Sequence, residues 1–238
     1  IARTLRIDPI RLRRMNLLRD GDTTPTGQVL SDTGALTVLD RCLDAANATM
    51  PPAGVHPGGG AGRYRRGRGL ALVFHGCGFT GNGEAWLKGK IALVLEGRCV
   101  RLLSSSTDIG QGPETTLSQI AAGELGLPIH RISMDPRDTD HVPDSGPTVA
   151  SRTCMVVGGV VQKAARALRA ALQAETGLAT NEIDTLLTAR TSTAPLRVQV
   201  EYEDDGSMDW DDQTYQGDAY PTYGWSACIV DLDVDLDT

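Results

Sequence analysis

The sequence predicts an α+β fold, with helices layered on a mixed sheet and a short helical preface ahead of that domain. Residues 153–175 carry apolar side chains at spacings of three and four, which is typical of a long helix. Residues 91–95 and 99–103 are apolar runs around Glu96-Gly97, which indicates a hairpin of buried strands. A chain of 238 residues that is 40% hydrophobic can bury such a core.

The preface begins with an amphipathic helix over residues 9–18, for which Asp8 is the predicted cap and Pro9 the first residue. A turn-rich segment over residues 21–27 separates it from a second helix over about residues 36–46. Residues 51–62 are rich in proline and glycine and are interpreted as a linker. We therefore divide the chain into residues 1–58, which include most of the linker, and a layered domain over residues 59–238.

The layered domain begins with an apolar run at residues 70–74, which predicts a buried strand before the hairpin. Residues 113–125 have helical spacing and end at Gly126, and a strand follows around residues 132–134. The long helix closes at Gly177. Residues 197–203 and 225–234 predict two further strands.

Charge is distributed unevenly along the chain. Residues 1–70 hold 11 arginines and no lysine against 6 acidic residues, whereas residues 198–238 hold 12 acidic residues and no basic one. Because aromatic residues do not interleave with the arginines, we expect no nucleic-acid partner. We interpret the basic end as solvated faces or as contacts with another part of a larger protein, and the acidic tail as a solvated hairpin or loop region. No apolar stretch approaches the roughly 18 residues of a membrane span, so we expect none.

The cysteines are five in number, and the closest pair is 22 residues apart. This spacing predicts neither a zinc site nor a self-contained iron–sulfur site. Odd, scattered cysteines fit a reducing compartment, so we expect a cytoplasmic protein. Because the chain begins at Ile1 rather than Met and still has a strand pattern at its end, we expect a fragment.

Three loops carry the candidate chemistry. Residues 76–81 (Gly-Cys-Gly-Phe-Thr-Gly) match a dinucleotide fingerprint, but we expect the chain after Gly81 to continue as a loop into a strand, without the helix that the fingerprint needs. Residues 108–113 are either an ordinary strand-to-helix turn or an anion site to which Gln111 adds a donor and an acceptor. In residues 143–152, Ser151 is either a plain helix cap or part of an anion cradle. The two loops together favour a phosphate-bearing ligand.

These loops resemble one family when they are taken together. Residues 70–80 with Phe79, residues 106–112 (Ser-Thr-Asp-Ile-Gly-Gln-Gly) and residues 144–151 (Asp-Ser-Gly-Pro-Thr-Val-Ala-Ser) occur in that order in the molybdenum-binding large subunit of the xanthine dehydrogenase and aldehyde oxidase family. Residues 8–17 and 218–224 also resemble it, so the likeness covers nearly the whole chain.

The resemblance implies a molybdopterin enzyme, an oxidoreductase that hydroxylates an aromatic heterocycle or an aldehyde with water as the oxygen source. It implies iron–sulfur clusters and FAD on other domains or subunits, and an oligomeric assembly. Residues 1–58 would end a preceding cofactor-binding domain, and residues 59–238 would form an incomplete molybdopterin-binding domain. Phe79 matches an aromatic residue that packs on the substrate ring. The positions that match cofactor contacts are Gly110, Gln111, Gly112, Val149, Ala150, Ser151 and Thr153.

The sequence also departs from the family. The family's general base is a glutamate in a late Gly-Glu segment that would lie beyond Thr238, and Gly83-Glu84 stands in the wrong place to replace it. No residue is assigned as a metal ligand. We therefore expect no catalytic residue in this sequence and no turnover by the isolated chain. The alternative is a non-catalytic interaction or scaffold domain whose glycine-rich loops are simple turns.

Overall fold

The computed structural model describes residues 1–49 and 63–237 of the chain. The chain divides into two compact units, one formed by residues 1–76 with 215–238 and the other by residues 77–214. We name them the ribbon unit and the sheet unit. The predicted division between residues 58 and 59 lies outside the described residues and stays a prediction.

The described residues of the ribbon unit form three helices: α1 (Ala2–Leu5), α2 (Pro9–Met15) and α3 (Ala35–Thr49). The predicted start of α2 is confirmed, because Asp8 accepts a hydrogen bond of 2.8 Å from the backbone N–H of Arg11 and Pro9 is the first helical residue. The second predicted helix is also confirmed.

Two long antiparallel strands, β1 (Tyr64–Gly76) and β8 (Tyr223–Asp235), pair along their whole length and form the ribbon. On one face the ring of Phe74 stacks on Tyr223, with 4.7 Å between the ring centroids. The strands predicted at residues 70–74 and 225–234 are confirmed. The predicted burial of the first is wrong, since Val73 is 52% and Phe74 42% exposed. Among the described residues of the ribbon unit, β8 is the one strand that pairs with β1, so β1 lacks the second neighbour that a central strand has.

Arginines of β1 and of the residue before it pair with aspartates of β8 across the ribbon. Each arginine makes two N–O contacts of 2.6 to 3.0 Å to its aspartate. The pairs are Arg63 with Asp235, Arg66 with Asp233 and Arg68 with Asp231. These six residues are partly solvated, and three arginines of the basic end neutralise three aspartates of the acidic end.

The sheet unit is built on four strands: β2 (Lys90–Glu96), β3 (Cys99–Leu103), β4 (Ile132–Met134) and β5 (Leu196–Glu201). Their order is β4-β3-β2-β5, with β2 antiparallel to β3 and β5, and β3 parallel to β4. The predicted hairpin and the two other predicted strands are confirmed. Two further strands of two residues each, β6 (Trp210–Asp211) and β7 (Gln216–Gly217), complete the strand inventory of the described residues.

The helices α5 (Pro113–Leu125) and α6 (Gly158–Thr176) form the second layer of the sheet unit. Ile91 and Leu93 of β2 are fully buried with Leu117 of α5 and Leu168 of α6 in one core cluster. Each side chain of this kind contributes roughly 1.5–3 kcal/mol when it is fully buried. The opposite face of β2 is covered too, because Ala92 and Val94 cluster with Leu103 and Val142. Burial on both faces explains the continuous apolar run of this strand.

Both predicted helices of this layer are confirmed, and Gly126 and Gly177 end them with left-handed φ values of 70° and 71°. The sequence did not predict α4 (Gly83–Leu87), the 3₁₀ turn Ile129–Arg131 or α7 (Ile183–Ala189). Among the described residues, no helix is long and apolar enough to cross a membrane.

Candidate functional site

The candidate site lies where three loops of the sheet unit meet. The first loop is residues 77–82, before α4; the second is residues 104–112, before α5; the third is residues 143–152, before α6. Hydrogen bonds between side chains and backbone join all three, although they stand far apart in the sequence.

Serine hydroxyls join the second and third loops. The Oγ atom of Ser145 lies 3.0 Å from the Oγ of Ser104, accepts from the backbone N–H of Ser105 at 3.1 Å and donates to the carbonyl of Lys90 at 2.9 Å. The backbone N–H of Ser145 donates in return to the Oγ of Ser105 at 2.8 Å. Ser104 and Ser145 are no more than 1% exposed, so this network is shielded from water and fixes the spacing of the two loops.

A buried ion pair joins α4, which directly follows the first loop, to the third loop. Arg152 is 1% exposed, and its Nε atom lies 3.0 Å from both carboxylate oxygens of Glu84. The Nη1 atom of Arg152 donates to the carbonyl of Ser145 at 2.8 Å. The backbone N–H of Gly78 donates to the carbonyl of Ala150 at 2.9 Å. Sequence reasoning missed Arg152 and Glu84, because nothing in a linear pattern indicates that residues 68 positions apart face each other.

The structure brings Gly110, Gln111 and Gly112 to the start of α5. The side-chain amide of Gln111 donates to the carbonyl of Thr107 at 2.8 Å and accepts from the backbone N–H of Ile109 at 2.7 Å. Gly110 and Gly112 have φ values of 104° and 70°, which a residue with a side chain rarely adopts. A Cβ atom at either glycine would meet nothing within 4 Å, and no side chain caps the first turn of α5.

The third loop carries Val149, Ala150, Ser151 and Thr153 to the start of α6. Ala150 and Ser151 both have left-handed backbones, with φ values of 53° and 52°. The interpretation of Ser151 as the helix cap is wrong: the capping position is Arg152, and Thr153 opens a π-helical turn, Thr153–Val157, ahead of α6. Val149 is 52% exposed at the surface of the loop. π-turns occur frequently at functional sites.

Phe79 is half-buried in the first loop and packs against α4. A Cβ atom at Gly83 would lie 2.5 Å from the Cβ of Phe79, so the ring position depends on the glycine. The expectation of a continuous loop after Gly81 is wrong, because α4 follows. The dinucleotide interpretation needs loop N–H groups that are open to a phosphate, but the backbone N–H of Phe79 donates to the Glu84 carboxylate at 3.3 Å instead.

Within the described residues, no three His, Cys, Asp or Glu side chains form a cluster that could hold a metal ion. The site therefore offers backbone amides, hydroxyls and small residues, which are ligands for a polar organic group rather than for a bare metal.

The chain is similar to known proteins. A family model described as a molybdopterin cofactor-binding domain matches residues 57–238. The nicotine 6-hydroxylase large subunit of Paenarthrobacter nicotinovorans is 28% identical over 183 residues, which is 73% of this chain and 22% of that protein. Xanthine dehydrogenase/oxidase of Gallus gallus is 27% identical over 172 residues, which is 71% of this chain and 12% of that protein.

Solved structures have the same fold. The aldehyde oxidoreductase of Desulfovibrio gigas matches with a TM-score of 0.72 and 22% identity, over 100% of this chain and 25% of that one. The CO dehydrogenase of Oligotropha carboxidovorans matches with a TM-score of 0.70 and 19% identity, over 100% of this chain and 33% of that one. The chain thus spans a third or less of the length of each of these proteins.

Proposed function

Since this chain belongs to the molybdopterin cofactor-binding domain family of the xanthine dehydrogenases and aldehyde oxidoreductases, we propose that it forms part of the cofactor site of a molybdenum hydroxylase. The substrate would be a flat heterocycle or an aldehyde, and water the oxygen source. The observation that carries the proposal is the convergence of the second and third loops through the buried contact of Ser104 with Ser145.

The residues present fit a pterin that carries a phosphate. The first turn of α5 has no side-chain cap, and the space beside Gly112 is open, so backbone N–H groups there can approach a ligand. Arg137 adds a positive charge beside the second loop, where its Nε donates to the carbonyl of Ser106 at 2.6 Å. Its buried Nη2 has no hydrogen-bond partner among the described residues.

In this proposal each loop has its own task. Gly110, Gln111 and Gly112 would contact the pterin, and Val149, Ala150, Ser151 and Thr153 would line the side nearer the metal and the phosphate. Phe79 would orient the substrate ring by packing on its face. The bound cofactor supplies the redox chemistry of the hydroxylation.

The proposal also concerns groups that this chain does not supply. The general base would come from another segment, because the carboxylates at these loops are already engaged. Glu84 is buried against Arg152, and Asp108 and Asp144 accept hydrogen bonds from the backbone N–H groups of Gly110 and Gly146. Electrons would leave through iron–sulfur clusters and FAD on other domains or subunits, in an oligomeric protein of the cytoplasm. The alternative, a scaffold domain, differs in one measurable respect, since a scaffold binds neither molybdenum nor pterin.

The test is metal analysis with pterin fluorescence on the protein purified from a host that makes the cofactor. We expect molybdenum and pterin in near-equal amounts, and their absence from folded protein would favour the scaffold. Gly112→Ala should lower both contents several-fold, because φ at residue 112 favours glycine and a Cβ would enter the open space.

Gly126→Ala is the matched control. Gly126 has the same φ of 70° and the same open surroundings at the other end of α5. The Gly126→Ala substitution therefore introduces comparable backbone strain without touching the proposed site. Equal cofactor loss in both variants would show that strain, and not the site, sets the occupancy.

A further inference from the structure

The ion pair between Arg152 and Glu84 has no part in the contacts proposed above. Their side chains are 1% and 8% exposed. Burying two opposite charges is costly unless hydrogen bonds satisfy both groups, and replacing such a pair by apolar residues is often neutral or stabilising. The pair therefore calls for an explanation other than stability.

The pair contacts the first and third loops directly and is connected to the second loop through Ser145. The Nη1 atom of Arg152 donates to the carbonyls of Ser145 and Pro147 in the third loop, at 2.8 and 3.2 Å. The Oε1 atom of Glu84 accepts from the backbone N–H of Phe79 in the first loop. Ser145 continues the connection to Ser104 in the second loop.

Two glycines leave room for the guanidinium group. A Cβ atom at Gly89 would lie 2.7 Å from the carbonyl oxygen of Ser145 and 3.2 Å from Nη2 of Arg152. A Cβ atom at Gly146 would lie 3.0 Å from Nη1. The backbone is thus fitted closely around Arg152, and the flat, forked donor set of arginine matches the two directions that it serves.

We propose that Arg152 and Glu84 are positioning residues that hold the three loops in their ligand-binding arrangement before any cofactor is bound. The inference rests on the proposed function and names the part of the chain that preorganises the site. Lysine at residue 152 would keep the charge, but its three donors share one nitrogen, so it lacks the planar fork that spans the carboxylate and the two carbonyls.

The first experiment measures amide hydrogen exchange in the cofactor-free protein, from a host unable to make the cofactor. In Arg152→Lys the backbone N–H groups of Gly78, Ser105 and Thr107, which bond across the loops, should exchange at least tenfold faster. The amides of β2 should keep the wild-type rate.

Arg190→Lys is the matched control in the same unit. The Arg190 side chain is 6% exposed, and its guanidinium joins the Glu175 carboxylate at 2.9 Å to the carbonyl of Ala194 at 2.7 Å, away from the three loops. It should leave the exchange of the loop amides unchanged. The proposal would be overturned if the loop amides of Arg152→Lys exchanged at the wild-type rate. It would also be overturned if exchange were accelerated equally in β2 and in the loops.

The second experiment measures molybdenum per protein in the cofactor-producing host, together with the melting temperature. Glu84→Asp withdraws the carboxylate by one methylene but keeps its charge, so it is the milder variant if Arg152→Lys does not fold. We expect the molybdenum content per protein to fall several-fold in Arg152→Lys and in Glu84→Asp. It should remain at the wild-type level in Arg190→Lys, even where the melting temperature of that protein is equal to or lower than theirs. Loss in step with melting temperature in all variants would assign the pair a structural role only.

The two proposals can fail separately. Wild-type protein without molybdenum or pterin would remove the proposed function, whereas the exchange experiment uses no cofactor and decides the loop-positioning role alone.

Discussion

Gln111 combines two roles that a side-chain amide can hold together. Its amide braces the second loop through the carbonyl of Thr107 and the backbone N–H of Ile109. Each bond uses one of the two hydrogens and one of the two lone pairs of the amide, so a further donor and acceptor remain. Because Gln111 is exposed, those groups are open to a ligand. Gln111 can therefore contact the proposed pterin and keep both of its hydrogen bonds within the loop.

Phe79 is the residue for which a kinetic change is expected. In the active enzyme, Phe79→Ala should lower kcat/KM about tenfold, because a ring-to-ring contact contributes up to about 1.5 kcal/mol beyond its buried area. Phe79→Leu is the control for packing against Gly83: it keeps most of the volume but has no flat face. Both variants should lose kcat/KM on a flat substrate, and wild-type kinetics in Phe79→Leu would remove the proposed role of the ring.

The ribbon of β1 and β8 depends on charge as well as on backbone pairing. The hydrogen bonds from Arg68 and Arg63 hold the pKa values of Asp231 and Asp235 below the ordinary range. A carboxylate whose folded pKa is lowered stabilises the folded state above its unfolded pKa, and this contribution is lost as the pH falls through the folded pKa. The ribbon is therefore expected to be sensitive to acid.

We expect β8 to lose protection against amide exchange as the pH falls from about 5 to below the lowered pKa values of these aspartates. The measurement is the exchange free energy of β8 amides, such as Val230 and Leu232, over that range. The double variant Asp231→Asn with Asp235→Asn should begin less protected and change less with pH. An identical acid profile in the variant would locate the titration elsewhere, for example at Glu124, whose pKa is lowered beside Arg166.

The chain as a unit shows which features a sequence can predict. Regular periodicity and end signals were sufficient for α5, α6 and the hairpin, since Gly126 and Gly177 mark helix ends by their own conformational preference. The short helix α7 was missed because it has three buried apolar residues, Ile183, Leu186 and Leu187, which is too few to establish a period. The loops were predicted as motifs, but the Arg152–Glu84 contact follows from the tertiary fold alone.

The isolated chain should show no hydroxylase activity, even when molybdopterin is supplied. The buried Glu84 cannot reach a substrate as a base while it is paired with Arg152, and the glutamate that the family resemblance implies has no counterpart in the three loops. The measurement compares turnover of a heterocycle and aldehyde panel by the chain and by a complete family enzyme as the positive control. Turnover by the chain alone would contradict the prediction.

The ladder of arginine and aspartate pairs has one more effect, on the choice between alternative strand alignments. Around Gly67 and Gly69 the ribbon offers few side chains that could tell one alignment from the next. A slip by one residue would turn Arg66 and Arg68 towards the face of Leu232 and Val234. Only one or two of the three aspartates would then stand opposite an arginine, namely Arg65 or Arg63. The native alignment keeps the larger number of arginine–aspartate pairs, so charge pairing favours it over a misregistered ribbon during folding.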